Sequence, residues 1–125
     1  MSEIIASLSE ISDRYDALFV DLWGCVHDGV RAYATANEAL VSYRKAGGKV
    51  VLVTNSPKPR SGVEKQLFHF GVSEDAWDSI ATSGDSARAA MYQGVVGKRV
   101  YFIGEPRDAP FFEPMTTLES PIAIE

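Results

Sequence analysis

Cysteine is almost missing from the sequence, and long apolar runs and an excess of positive charge are missing as well. Cys25 is the single cysteine among 125 residues, so a framework of disulfides or a cysteine-based metal site cannot form within one chain. Apolar runs such as Ala17 to Val20 and Val50 to Val53 fall far short of the roughly 20 residues that cross a bilayer. The sequence therefore predicts neither a disulfide scaffold nor a membrane-spanning protein.

Basic residues are outnumbered by acidic ones, 12 against 17, which gives a formal net charge of -5. Because no basic stripe is available to neutralise nucleic-acid phosphates or anionic lipid, we expect no nucleic acid and no membrane as partner, and small soluble ligands instead. Residues 1–10 have no basic start before an apolar block and do not resemble a secretory signal. A cytoplasmic location is the expectation.

Three short apolar runs rich in β-branched and aromatic residues predict strands. The first is continuous up to Asp21, which is typical of a strand covered on both faces in a parallel sheet. A further strand is expected at 122–124. The predicted core strands are Ala17 to Val20, Val50 to Val53 and, as the third, Val100 to Ile103.

Helices are predicted between these strands from apolar residues three and four positions apart. Gly47 and Gly71 follow two of these stripes as helix stops, and Ser83 is the expected N-cap of a third helix. Phe111-Phe112 is expected to start a short helix. The predicted helices cover residues 3–13, 36–43, 63–70 and 84–92.

This alternation predicts an α/β fold with right-handed crossovers and a doubly wound parallel sheet, in which ligands bind outside the carboxyl ends of the strands. About three core strands with flanking helices are present, so the sheet is incomplete. Its unpaired apolar edge predicts self-association.

Polar residues begin where the first two strands end. A carboxylate at Asp21, beside the backbone N–H groups of a turn at Gly24, can attack an electrophile and form an intermediate that water hydrolyses. Thr54 can donate its hydroxyl to a phosphoryl oxygen, and the N–H groups of Asn55 and Ser56 can line the same pocket. Alternatively, Asp21 caps a turn and Thr54-Asn55-Ser56 is a polar turn before Pro57.

Asp21-Leu22-Trp23-Gly24-Cys25-Val26-His27-Asp28-Gly29 resembles the D-x-D-G-x-[TV] motif of the haloacid dehalogenase superfamily. Val50 to Ser56 resembles its second motif, a strand that ends in Thr or Ser. The T-N-S form of the second motif and the later Thr82-Ser83-Gly84 resemble the sequences of class IIA of this superfamily. Members of class IIA have a large cap after the third core strand, and they include sugar-phosphate and pyridoxal-phosphate phosphatases. The resemblance covers residues 15 to about 105.

The resemblance implies a Rossmann-like core and metal-dependent phosphatase chemistry on small phosphorylated metabolites. Asp21 is then the catalytic nucleophile, Thr54 is catalytic, and Thr54, Asn55 and Ser56 bind the substrate phosphate. Mg²⁺ is expected on the Asp21 carboxylate and on the main-chain carbonyl of Trp23, because this cation prefers hard oxygen ligands.

Trp23 stands where phosphatases of this superfamily have a general acid. Indole exchanges no proton at neutral pH, and this kind of catalysis contributes roughly 10²–10⁴-fold. The alternatives are a catalytically impaired phosphate-binding or regulatory homologue, and a dehalogenase-type hydrolase, whose halide leaving group needs no acid. His27 and Asp28 are candidates to replace the acid, and for His27 an ordinary surface histidine is the other reading.

The basic residue and the paired acids that complete a site of this family are not identified in the sequence. Lys58 and Arg60 either add positive charge near the phosphate or are solvated surface residues. Glu105 and Asp108 are expected to be acids in a loop. Residues 1–125 are thus interpreted as the N-terminal part of a core domain, without its cap and later motifs. A fragment, a truncated product and half of a site completed elsewhere remain open.

Overall fold

Three parallel strands form the sheet that carries the polar segments, and they lie in the order β1-β2-β3. In the computed structural model, which describes residues 4–114 and the backbone of residues 122–123, these strands are β1 (Ala17–Asp21), β2 (Lys49–Thr54) and β3 (Ser79–Thr82). Helix α1 (Ala34–Lys45) connects β1 to β2, and α2 (Arg60–Phe70) connects β2 to β3. The predicted α/β fold with a parallel sheet is confirmed.

The core lies between one face of this sheet and helices α1 and α2. Val50 and Leu52 of the central strand are fully buried, because β2 pairs with a strand on each side. The two helices turn their apolar stripes onto this face, as their spacing predicts. The core side chains from the helices are Leu40 and Tyr43 of α1 and Val63 and Leu67 of α2.

The third core strand is β3, and its assignment to Val100 to Ile103 was wrong. Tyr101–Phe102 forms a short strand, β4, that pairs in parallel with β5 (Ile122–Ala123) in a separate two-stranded sheet. The third core strand escapes a search for apolar runs because it has four residues and Ile80 is its only large apolar side chain. The strand expected at 122–124 is found at its first two positions, and Ile124 lies outside the described residues.

The leading helix predicted at 3–13 is also wrong. The described part of this segment forms two single turns of 3₁₀-helix, Leu8–Glu10 and Ser12–Arg14. The Glu10 carboxylate accepts the N–H groups of Ala6 and Ser7 at 2.9 and 3.0 Å, which starts a turn in the middle of the expected helix. Ile4 is 98% exposed, so the apolar stripe has no partner for its first residue.

The later helices follow the sequence more closely. Gly47 and Gly71 adopt φ values of +101° and +84° after α1 and α2, which confirms both stops. Helix α3 (Ser83–Tyr92) starts one residue earlier than expected, and its N-cap is Thr82, whose Oγ1 accepts the Asp85 N–H at 2.9 Å. Phe111-Phe112 ends a 3₁₀-helix, Pro106–Phe112, and does not start one.

The second face of the sheet is open in the described part of the chain. Phe19 of β1 is 80% exposed and Val53 of β2 is 41% exposed, whereas their neighbours Leu18 and Leu52 face the core. The expectation that β1 is covered on both faces is therefore wrong, because α1 and α2 pack on the same side. No helix in residues 4–114 is long and apolar enough to cross a membrane.

Asp78 joins α1 to the start of strands β2 and β3. Its two carboxylate oxygens accept hydrogen bonds from Nε and Nη2 of Arg44, each at 3.0 Å. They also accept the backbone N–H of Val50 at 2.8 Å, and Lys49 Nζ lies 3.4 Å from Oδ1. The bonds from Arg44, followed by the Val50 N–H, lower the pKa of the Asp78 carboxyl from 3.8 to about 2.

We expect Asp78→Asn to lower the free energy of unfolding at neutral pH. Since the pKa of Asp78 is lower in the folded chain than in the unfolded chain, its stabilisation is complete above about pH 4 and is lost as the pH falls towards 2. Urea unfolding of both proteins at several pH values measures the difference. A difference in free energy of unfolding between the two proteins that stays constant from pH 6 to pH 2 would rule out this role. Asp13→Asn, which changes an exposed acid, is the control for the change in net charge.

We propose that isolated chains self-associate through the open face of the sheet, because an exposed apolar patch, here with Phe19 and Val53, favours contact with another chain. Light scattering over a range of concentrations is expected to give more than the monomer mass. Phe19→Ser should restore the monomer, and Phe68→Ser, which changes a 75% exposed phenylalanine on α2, should not. A wild-type monomer at all concentrations would contradict the proposal.

Candidate functional site

The parallel pairing places the ends of β1 and β2 side by side. Asp21 lies opposite Val53, so Thr54, the next residue along β2, lies at the same carboxyl edge. Thr54 in turn pairs with Thr82, the last residue of β3. The predicted nucleophile and the predicted phosphate-binding threonine therefore share the edge at which ligands bind in sheets of this type.

Asp21 is exposed at this edge and is followed by a tight turn. Its Oδ1 accepts the N–H of Leu22 at 2.7 Å, and the Leu22 carbonyl accepts the N–H groups of Val26 and His27 at 2.9 and 3.2 Å. Gly24 makes this turn at a φ of +74°, which few other residues adopt without strain. The turn keeps the Asp21 carboxylate at the surface while Leu22 and Val26 are buried.

Thr54 is the buried member of the predicted phosphate-binding loop. Its side chain is 7% exposed, and its Oγ1 accepts the Ser56 N–H at 3.2 Å. Because that bond uses a lone pair of the oxygen, the hydroxyl hydrogen of Thr54 stays available as a donor. Asn55 is exposed between the two residues.

Ser56 is fixed by the start of α3, a contact that sequence reasoning missed. The Ser56 carbonyl accepts the Ser83 hydroxyl at 3.0 Å and the Gly84 N–H at 3.1 Å. A Cβ at Gly84 would lie 2.3 Å from the Pro57 carbonyl oxygen, so a residue with a side chain does not fit there. The signal was present in the sequence as Thr82-Ser83-Gly84, but its contact with Ser56 depends on the pairing of β2 with β3.

Trp23 occupies the position of the missing acid with an exposed ring. It is 62% exposed, and a Cβ on Gly29 would lie 2.3 Å from the nearest ring atom, so the indole packs directly on that glycine. Its ring also meets the His27 ring edge-on, with centroids 5.3 Å apart. The side chain thus forms part of the loop surface beside Asp21.

His27 is 2% exposed, so the surface alternative for this residue is wrong. Its ring packs against Phe70 at 4.9 Å, and its Nδ1 accepts the Gly29 N–H at 3.0 Å. Burial lowers the pKa of His27 below 6.5, although the charges of Asp28 and Asp21 act in the opposite direction. His27 is therefore neutral at pH 7 and its Nδ1 lone pair is already used.

Asp28 is suited to hold the loop and not to donate a proton. Its Oδ1 accepts the N–H groups of Val30 and Arg31 at 2.9 and 2.8 Å. The bonds from Arg31 and then Val30 lower the pKa of the Asp28 carboxyl, so it is ionised at neutral pH. An ionised carboxylate cannot act as a general acid, and this geometry disfavours Asp28 as a substitute for the missing group.

Arg60 and the two acidic candidates are already engaged or lie further along the chain, whereas Lys58 is exposed two positions after Ser56. Arg60 pairs with Glu64 at 2.8 Å, which favours its interpretation as a surface residue. Glu105 pairs with Arg107 at 2.8 Å and is exposed, and Asp108 lies in the 3₁₀-helix before Phe112. Glu105 is a loop acid, as expected, whereas Asp108 is a helical residue.

The residues at the sheet edge match the chemistry of a Mg²⁺ site only in part. The Asp21 carboxylate and a main-chain carbonyl such as that of Trp23 are hard oxygen donors of the kind that Mg²⁺ prefers. Among the residues that the structure describes, no group of three or more His, Cys, Asp or Glu side chains is placed to hold a metal ion. These two donors would therefore need ligands in addition to those in the described residues.

Comparison with known proteins agrees with this geometry. Residues 18–115 match the family of haloacid dehalogenase-like hydrolases. A crystal structure of a haloacid dehalogenase-like hydrolase from Brucella suis 1330 superposes with a TM-score of 0.85 and 38% sequence identity over 98% of this chain. The matched part is 43% of that protein, so the chain spans less than half of its length. No curated protein matches the chain. The chain belongs to the haloacid dehalogenase-like hydrolase family.

Proposed function

We propose that this chain carries the nucleophile half of a Mg²⁺-dependent phosphatase-type hydrolase that acts on small phosphorylated metabolites. The observation that supports it most is the placement of an exposed Asp21 and a buried Thr54 on neighbouring strands at one sheet edge. A nucleophile and a hydroxyl donor at the same edge of the sheet can act on one phosphoryl group.

In this proposal each side chain has a separate task. An Asp21 carboxylate oxygen attacks phosphorus, and the Thr54 hydroxyl donates to a phosphoryl oxygen. The Asn55 N–H donates to the same anion, and the Ser56 N–H would be shared between the anion and Thr54 Oγ1. Ser56 is held in place by Ser83 and Gly84. Bound Mg²⁺, on Asp21 and the Trp23 carbonyl with ligands from elsewhere, would reduce the repulsion between the carboxylate and the phosphate.

We also infer the class with a cap after the third core strand, on the basis of Thr54-Asn55-Ser56 and Thr82-Ser83-Gly84. A cytoplasmic location and the absence of nucleic-acid and membrane partners belong to the same proposal. They are supported by the net charge of -5 and by the single cysteine, which is unpaired and exposed.

The packing of Trp23 favours a second candidate function, a phosphate-binding or regulatory homologue that does not turn over its ligand. The ring rests on Gly29 and exchanges no proton at neutral pH, and the surroundings of His27 and Asp28 do not favour either as a proton donor. Carbon–halogen hydrolysis is the third candidate, because an aromatic residue at position 23 is compatible with a leaving group that needs no protonation.

We expect Asp21→Asn to reduce Mg²⁺-dependent hydrolysis of 4-nitrophenyl phosphate by roughly 10⁴-fold or more, because it removes the attacking oxygen. Asp13→Asn, at an exposed acid outside the site, should leave the rate unchanged. The same panel run with a halogenated acid separates phosphatase from dehalogenase chemistry.

Trp23→Asp in the same assay distinguishes an enzyme from a binding protein. A gain of about 10²-fold would identify the missing acid as the limiting feature. Phosphate binding without turnover in both the wild type and Trp23→Asp would favour the regulatory homologue, and a full rate in Asp21→Asn would contradict the assignment of the nucleophile.

A further inference from the structure

A cavity of about 820 Å³ opens beside the phosphate-binding loop. We call it the aromatic groove. One wall consists of Phe102, Phe111 and Phe112, and the opposite side is formed where α2 and α3 begin, at residues that include Pro57, Lys58 and Gly84.

The aromatic groove begins at the residues that follow the phosphate-binding loop in the chain. Pro57 and Lys58 directly follow Ser56, whose carbonyl is bound by Ser83 and Gly84. A Cβ at Gly84 would lie 2.3 Å from the Pro57 carbonyl oxygen and 2.5 Å from that of Lys58. The backbone segment that leaves the phosphate-binding loop therefore lines the groove, in close contact with the start of α3.

The wall of phenylalanines is held in position by its own packing and by α3. The Phe112 ring meets the Phe102 and Phe111 rings edge-on, in each case with centroids 5.2 Å apart. Arg88 of α3 donates to the carbonyls of Phe111 and Glu113, and its guanidinium lies 5.6 Å from the centre of the Phe111 ring. The three rings are only partly buried, so aromatic surface remains exposed to a ligand.

Charge is distributed unevenly along the groove. Lys58 lies at the end next to the phosphate-binding loop, whereas Arg107 is paired with Glu105 at 2.8 Å and Asp108 lies near it in the chain. A ligand with an anionic end at the phosphate-binding loop and an apolar, planar remainder would match both parts.

The lack of a general acid at Trp23 also favours a ligand with an aromatic group. Without a general acid, a phosphate ester is cleaved readily only when its leaving oxygen is stable as an anion. A phenol ionises with a pKa of about 10, as tyrosine does, whereas water and aliphatic alcohols are far weaker acids. An aryl phosphate ester can therefore be cleaved with tryptophan at position 23, whereas an alkyl phosphate ester would need a general acid.

We propose that the aromatic groove binds the leaving group of the substrate and that this group is an aryl ring joined to phosphate through a phenolic oxygen. The proposal rests on the proposed function. An Asp21 oxygen bonds to phosphorus, and the bond from phosphorus to the aryl oxygen breaks with both electrons on the aryloxide. Water then attacks phosphorus, which releases inorganic phosphate and restores the carboxylate, and the proton lost by water balances the one that the aryloxide takes up.

Calorimetric titration of the 125-residue chain in Mg²⁺ with 2-naphthyl phosphate and with inorganic phosphate tests this. We expect 2-naphthyl phosphate to bind at least about tenfold more tightly, because its ring contacts the phenylalanines. Ala87→Trp fills the groove from an exposed position of α3 that lines it, and should reduce the advantage to about threefold or less. Ala89→Trp, at an exposed residue of the same helix, should leave the advantage unchanged.

Equal affinity for the two ligands in the wild type, or an advantage that survives Ala87→Trp, overturns the groove proposal alone. Inorganic phosphate has no ring, so its binding reports on the proposed function independently of the groove. If Thr54→Ala leaves the affinity for inorganic phosphate unchanged, the proposed function fails as well.

Discussion

Strand β2 is hydrogen-bonded in parallel to β1 on one side and to β3 on the other, and this pairing determines where every polar segment lies. Val50 and Leu52 are fully buried beneath α1 and α2, so a shift of register by one residue would turn them away from the core. The same register brings the end of β1 at Asp21 beside the end of β2 at Thr54, and it places the Thr82 cap of α3 beside the proposed phosphate-binding loop. The site thus depends on hydrophobic burial at the centre of the sheet.

The sequence was a good guide where one local pattern decides the structure. Four consecutive β-branched or leucine residues fix β2, and the spacing of Leu40 and Tyr43 with the later Gly47 fixes α1 and its end. The placement of Asp21 and Thr54 at strand ends follows from these elements and the general geometry of parallel sheets.

Features that depend on partners distant in the chain were not predictable in this way. Strand β3 is recognisable only through its pairing with β2, since its own residues are mostly polar or small. The burial of His27 depends on Phe70, 43 positions later in the sequence and brought near by the α2 crossover. The open face of the sheet at Phe19 was missed because the apolar run of β1 does not reveal how many layers cover it.

The loop after Asp21 combines the proposed nucleophile with side chains that are poorly suited to donate a proton. Burial lowers the pKa of His27, the bonds from Arg31 and Val30 lower the pKa of Asp28 so that it is ionised at neutral pH, and the indole of Trp23 exchanges no proton at neutral pH. These three features favour either binding without turnover or chemistry on a leaving group that departs as an anion. The aromatic groove beside the phosphate-binding loop is the reason to favour the second.

The most direct test of the shared phosphoryl site is a crystal structure of the chain with Mg²⁺ and beryllium fluoride, which bonds to a carboxylate oxygen as a mimic of a phosphoryl group. The account predicts beryllium fluoride on an Asp21 oxygen, with a fluorine within about 3 Å of Thr54 Oγ1. Beryllium fluoride on any other residue, or on Asp21 but pointing away from Thr54, would contradict it.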